Sequence, residues 1–255
     1  MQKTTLLAAV LGTFVALPAF AEDAASSPVS ANVTLTNNYL YRGISQTGGN
    51  PAIQGGFDFV HSSGFYIGTW GSSISWLSDS GIASNAGLEL DTYAGFKNSF
   101  ATDFSYDVGF LRYNYPGTYV AGVTKADTNE VYGLIGYKWV TAKYSYALGD
   151  TFGVSKAKGT GYLDISASYA IPDTGVTLGA HYGKQTYKGT TADALKAAGA
   201  DPTYSDYKLS VTKDVKGYVF GLAYSKTNAK TGGFYTVNGK DLGKGTVVVS
   251  LTRTL

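Results

Sequence analysis

Cysteine is absent from all 255 residues. That excludes disulfides, thiolate zinc sites and redox motifs. Histidine is scarce, with only His61 and His181, and there is one methionine. Charged residues make up 15% of the chain, against about 25% in an ordinary soluble domain. The formal net charge of +2 gives no bulk attraction to nucleic acid. Past residue 21 there is no apolar run approaching the roughly 18 residues that a membrane helix needs.

What is present is unusual too: 21 tyrosines and 33 glycines. Tyrosine suits a membrane interface, with its ring in the apolar zone and its hydroxyl in water. Met1 to Ala21 reads as a removable secretory signal. Lys3 supplies the basic start, Leu6 to Leu17 the apolar stretch, and Ala19-Phe20-Ala21 the cleavage pattern before Glu22.

From about Ser30 to the last residue, twelve segments alternate apolar and polar residues. Such period-two runs are half-buried strands. The first sets Ala31, Val33, Leu35, Asn37, Tyr39 and Tyr41 against Asn32, Thr34, Thr36, Asn38 and Arg42. Ile53, Phe57 and Phe59 oppose Gln54, Gly56 and Asp58 in the second, and Tyr66, Trp70, Ile74 and Trp76 share a face in the third. In the fifth, Leu111, Tyr113 and Tyr115 switch parity, which a bulge would explain. The connections alternate short and long. Short ones include His61 to Gly64, Val140-Thr141 and Pro172 to Gly175. Long ones include Gly43 to Asn50, Pro116 to Asn129, Gln185 to Ser205 and Thr227 to Lys244.

This pattern predicts an all-β transmembrane barrel of about twelve antiparallel strands over residues 22–255. Short periplasmic turns and long extracellular loops would connect them, in the outer membrane of a Gram-negative bacterium. Hydrocarbon offers the peptide groups no partner, so a spanning sheet must close. The last strand, Gly245 with Val247, Val249, Leu251 and terminal Leu255, fits a signal to the barrel-assembly machinery. Other expected partners are outer-membrane lipid, lipopolysaccharide and small solutes; no cofactor is expected.

One stretch is too idiosyncratic for generic barrel packing. It runs Asn38-Tyr39-Leu40-Tyr41-Arg42-Gly43-Ile44-Ser45-Gln46, then Pro51-Ala52-Ile53-Gln54-Gly55-Gly56, then Gly64-Phe65-Tyr66-Ile67-Gly68-Thr69-Trp70-Gly71-Ser72. It resembles the opening of the TorF-family putative porins of proteobacteria: Y-x-x-R-G-x-S-Q, P-A-x-Q-G-G and G-x-Y-x-G-x-W-G-S, in order. Beyond residue 76 the likeness is only strand alternation. The resemblance implies a porin-like outer-membrane role without a defined solute.

Face assignment proposes pore-lining residues: Arg42, Asp58, Glu89, Asp91, Asp107, Asp164, His181 and Lys208. Lys97, Lys138, Lys143, Lys184, Glu130 and Asp206 share that face, giving a nearly balanced lumen of six bases and seven acids. Arg42 is expected beside Glu89 or Asp91, as a lumen cation or a structural salt bridge. Tyr66, Trp70 and Trp76 are placed against lipid, with sugar stacking as the alternative reading. His181 reads as a hydrogen-bonded wall residue and His61 as part of a turn. Ala192 to Ala200 is helix-prone and would either constrict the pore or cap it. A passive channel leads. The alternatives are a closed structural or adhesive barrel, and a barrel-embedded enzyme, which lacks a G-x-S-x-G pattern and would rest on a Glu89/Asp91 dyad.

Overall fold

The computed structural model describes residues 27–255. The signal expected over Met1 to Ala21 lies outside the described residues. Twelve antiparallel strands form one closed barrel. The first six are β1 (Val29–Thr36), β2 (Ala52–Val60), β3 (Phe65–Ser73), β4 (Leu88–Phe100), β5 (Phe104–Asn114) and β6 (Thr128–Tyr137). The rest are β7 (Val140–Ala147), β8 (Gly161–Ile171), β9 (Val176–Thr186), β10 (Tyr204–Val215), β11 (Tyr218–Thr227) and β12 (Thr246–Thr254). Each pairs with its neighbours in sequence, and β1 also pairs with β12 to shut the ring.

The connections 61–64, 101–103, 138–139, 172–175 and 216–217 gather at one end of the barrel. The longer ones, 37–51, 74–87, 115–127, 148–160, 187–203 and 228–245, gather at the other. Two short helices lie in them: α1 (Trp76–Asp79) and α2 (Thr190–Ala197). The α2 helix packs through Ala192 and Leu195 against Val154, Ala157, Tyr187 and Phe234. It is therefore joined to neighbouring long loops.

Apolar side chains of the wall point outward. Ile53, Phe57, Leu178, Leu209, Phe220 and Val249 are all exposed, Leu209 at 66%. Two aromatic belts bound this surface. At the short-turn end Phe100 stacks on Phe104, Phe104 meets Tyr137, and Trp139 meets Tyr169. Towards the long loops lie Tyr144, Tyr146, Tyr224 and the Tyr182–Tyr207 pair. An outward apolar band between aromatic girdles is the surface hydrocarbon would solvate.

Several face assignments change. Strand β3 has the opposite parity to that expected: Phe65 and Ile67 point outward, 62% and 59% exposed. Tyr66 and Trp70 point inward, Tyr66 donating to Asp107 and Trp70 meeting Tyr39 edge-on. Trp76 leaves the wall altogether and lies in α1. Strand β5 has no bulge; its pairing with β6 runs unbroken from Phe104 to Tyr113. Leu111 and Tyr113 are inward and buried because they meet the inserted loops. Lys184 shares the outward parity of Leu178 and Tyr182 on β9 and is exposed. Lys138 lies in the 138–139 turn, which ends before Val140, and pairs with Asp103 at 3.8 Å. Neither lysine lines the lumen.

The strand β10 tests the facing directly. Leu209→Arg places a charge mid-band on the outer face, at a cost of roughly 2–4 kcal/mol. It should lower the folded fraction in lipid vesicles, read as heat-modifiable gel mobility. Thr212→Arg, inward on the same strand, should fold like the wild type. Equal damage from both would refute the assignment.

Candidate functional site

After Thr36 the chain leaves the wall and turns inside the barrel. Leu40–Tyr41 pairs with Ile44–Ser45 as a minimal hairpin. Its two central residues, Arg42 and Gly43, have φ of 47° and 77°. Positive φ at both positions is what a type I′ turn requires. Gly43 is also forced by space: a Cβ there would sit 2.7 Å from both Asp206 Cβ and Thr227 Cγ2. Side chains stitch the hairpin's stem. Ser45 Oγ donates to Asn38 Oδ1 at 2.6 Å, and Thr47 Oγ1 donates to the Asn50 carbonyl at 2.6 Å. The Gln46 carbonyl accepts from the Ser75 and Trp76 amides, tying the hairpin to the start of α1.

Arg42 is carried at the hairpin tip to the far wall. Its Nη2 donates to Glu130 Oε2 on β6 at 2.7 Å, and its Nη1 donates to Gln185 Oε1 on β9 at 2.7 Å. The guanidinium carbon lies 4.3 Å from the centre of the Tyr162 ring, 4.8 Å from Tyr41 and 5.8 Å from Phe152. The Tyr204 hydroxyl donates to the Arg42 carbonyl at 2.9 Å. Burial, the largest influence, lowers the guanidinium's pKa, but Glu130, Tyr41 and Tyr113 together more than offset it and hold the value above the ordinary one. Arg42 thus pairs with Glu130, and not with Glu89 or Asp91. Removing one partner of such a buried pair costs roughly 3–5 kcal/mol.

Around the hairpin the interior is densely packed. Tyr39, at 2% exposure, donates to Glu89 Oε1 at 3.0 Å. Tyr39 and Tyr41, expected on the outer face, are therefore interior. Tyr41 donates to Tyr113, and Trp76 packs edge-on against Tyr115. Glu89 Oε2 and Asp91 Oδ1 have no hydrogen-bond partner among the described residues. Four acids, Glu89, Asp91, Glu130 and Asp206, lie within this buried layer, each near the long-loop end of its strand.

Towards the short turns the interior is half-buried and polar. Tyr93 donates to Asp58 at 2.7 Å and Tyr66 donates to Asp107 at 2.7 Å, with the Tyr66 and Tyr132 hydroxyls in contact. Lys143 lies 3.8 Å above the Tyr132 ring and Lys97 5.3 Å above Tyr66. Across β8 to β10, His181 is flanked by Asp164 at 3.4 Å and Asp206 at 2.8 Å, with Lys208 opposite in register. With Lys138 and Lys184 removed, the lumen holds four bases and His181 against seven acids. It carries an excess of acid groups, where near balance was expected.

Ser166 stands 3.0 Å from His181 Nδ1, and Asp206 holds Nε2, so the set has the outline of a hydrolytic triad. The protons run the wrong way. Ser166 gives its hydrogen to Asp164 at 2.6 Å and accepts from the ring. A hydroxyl already bonded to a carboxylate is not activated by the imidazole.

A sequence model described as a bacterial protein family of unknown function, Gcw_chp, matches residues 21–255. The chain belongs to that family. No curated protein matches it. Among solved structures, a chain from work on in-meso crystallization of membrane proteins aligns at 7% identity and TM-score 0.50, over 89% of this chain and 83% of that one. The KdgM porin in complex with disordered oligogalacturonate aligns at 8% and 0.48, over 89% and 96%. LpxR from Salmonella typhimurium aligns at 10% and 0.43, over 89% and 99%. At such identities the likeness is one of fold.

In this Gcw_chp chain the opening motifs encode the interior. Tyr39, Tyr41 and Arg42 fill the lumen, Gln54 donates to Ser72 at 3.2 Å, and Gly68 leaves room for the Tyr93 ring. Sequence reasoning named Arg42 but missed its receptors Gln185, Tyr162 and Phe152. They lie on strands and a loop more than 100 residues away, and no local signal points to them. Gly43→Ala adds backbone strain of roughly 1–3 kcal/mol to a steric clash. Gly49→Ala is the control, with φ of 86° but open space around its Cβ. Gly43→Ala should lower the detergent unfolding temperature more and open segment 37–51 to proteolysis; equal effects would argue against the docked hairpin.

Proposed function

We propose that the barrel spans a bacterial outer membrane and conducts small solutes through its lumen, with the 37–51 hairpin as the resting closure. One observation carries this reading. The apolar surface encloses an interior rich in ionisable groups that is filled by an inserted loop, with Arg42 at its tip docked on the far wall, where wall side chains could have filled the space. Burying ionisable groups is costly unless they are paired, so a barrel needed only for support has little use for eleven ionisable lumen groups. The motif resemblance to TorF-family putative porins supports the same role. In this reading the long loops face outward, carry the contacts with lipopolysaccharide, and leave both chain ends periplasmic. The final strand serves the assembly machinery.

A second reading, a closed structural or adhesive barrel, is favoured by the tightness of the packed layer, where Leu77 and Glu89 have no exposure. Bilayer recordings separate the two. Purified protein should show defined, infrequent conductance steps. Arg42→Ala should conduct more often and shift the reversal potential in a salt gradient towards cation selectivity. The shift should be clearest at low salt, where the screening length is ~30 Å at 0.01 M. Silence from both proteins would favour the closed barrel.

Orientation has its own check. Cysteines replacing exposed Lys158, Lys188 and Lys240 in the long loops should react with an impermeant maleimide on intact cells. Cysteines replacing Ser63 and Thr174 should react only after lysis. The reverse pattern would overturn the outward placement of the long loops.

A further inference from the structure

The seat of Arg42 is a receptor in its own right. Apart from Tyr41, every group that grips the guanidinium belongs to the wall or to another loop: Glu130 on β6, Gln185 on β9, Tyr162 on β8 and Phe152 in the 148–160 loop. Withdrawing the hairpin removes the cation and leaves these groups behind. We propose that this cradle is the solute-binding site of the channel, that its ligand is an organic cation with a guanidinium head, and that Arg42 is a built-in surrogate for that ligand. The inference rests on the channel reading and names its solute class.

The chemistry selects the head group. The two acceptors take separate nitrogens of one planar fork, each at 2.7 Å. That geometry suits a guanidinium, whereas an ammonium is a point charge. The aromatic faces of Tyr162 and Phe152 favour a weakly hydrated, delocalised cation. They are poor ligands for a hard metal ion, which takes a shell of oxygens. The layer around the cradle adds direction. Asp206 stands against Gly43, Tyr113 donates to Glu130 at 3.4 Å, and Glu89 and Asp91 hold unpartnered oxygens. Once Arg42 leaves, Glu130 loses its partner and Glu89 and Asp91 keep their unpartnered oxygens, while Asp206 remains bonded to His181 at 2.8 Å. Opening and attraction of cations are then one event: the solute that takes the arginine's place also holds the gate away.

The test is chemical rescue. Arg42→Ala protein in detergent is heated with methylguanidinium, ethylguanidinium or ethylammonium, and the same cations are added to bilayers. The alkylguanidinium ions should raise the unfolding temperature of the variant and reduce its current, both effects saturating with concentration. Ethylammonium should be at least several-fold weaker. Adding Glu130→Gln should abolish the rescue. In the wild type, ethylguanidinium should make openings more frequent by competing with Arg42. Equal action of the guanidinium and ammonium ions, or none, overturns the proposal. If Arg42→Ala does not refold, Arg42→Gln carries the same measurements. A silent bilayer with an intact thermal rescue refutes the channel and leaves the cradle standing, so the two readings fail separately.

Discussion

The closure of β1 on β12 is the constraint from which the rest follows. With both faces of every strand's hydrogen-bonding edge occupied, the wall has no open edge for another chain to join and needs no backbone partner from its surroundings. Closure fixes register, and register fixes which side chains point in. A slip of one residue on any strand would send its apolar set into the lumen and its charges outward. The outward surface, from Phe57 to Leu209, and the inward set of carboxylates, lysines and phenols are two readings of one geometry.

Inside a closed wall, polar groups must satisfy one another. The lumen does this with phenols as adaptors between charges: Tyr66 with Asp107, Tyr93 with Asp58, Tyr162 with Asp206, Tyr39 with Glu89. A phenol donates one hydrogen bond to a carboxylate without adding charge, while its ring offers a face to a neighbouring lysine or arginine. The tyrosine content therefore has two physical origins. One part lies in the outer belts, the other in the lumen.

That double use explains what the sequence hid. Alternation, turn chemistry and loop lengths are legible because they depend on neighbours in the chain, and they yield twelve strands and the faces of all of them but β3. Tyrosine and tryptophan suit both the membrane interface and a polar lumen, so composition alone does not place them. Tyr66, Trp70, Tyr39 and Tyr41 are expected outward and pack inward. The corrective signal was present in β3, where Phe65 and Ile67 form a purely apolar set opposite Tyr66, Gly68 and Ser72. Lys184 was misplaced against the parity of its own strand. The partners of Arg42 were beyond reach because Glu130 and Gln185 come near only once the barrel has closed.

That long reach has a mechanical side. Glu130 and Gln185 sit on strands far around the ring from β1, where the hairpin is rooted. The loop therefore braces the barrel across its diameter. An unbraced cylinder of hydrogen-bonded strands can flatten into an ellipse by changing the angle between neighbouring strands, which leaves register and ladder intact. With the strut in place the cross-section is pinned at the level of the long loops. Lateral pressure on the wall would then act unevenly along the barrel, and the shape of the long-loop rim would follow the position of a single hairpin.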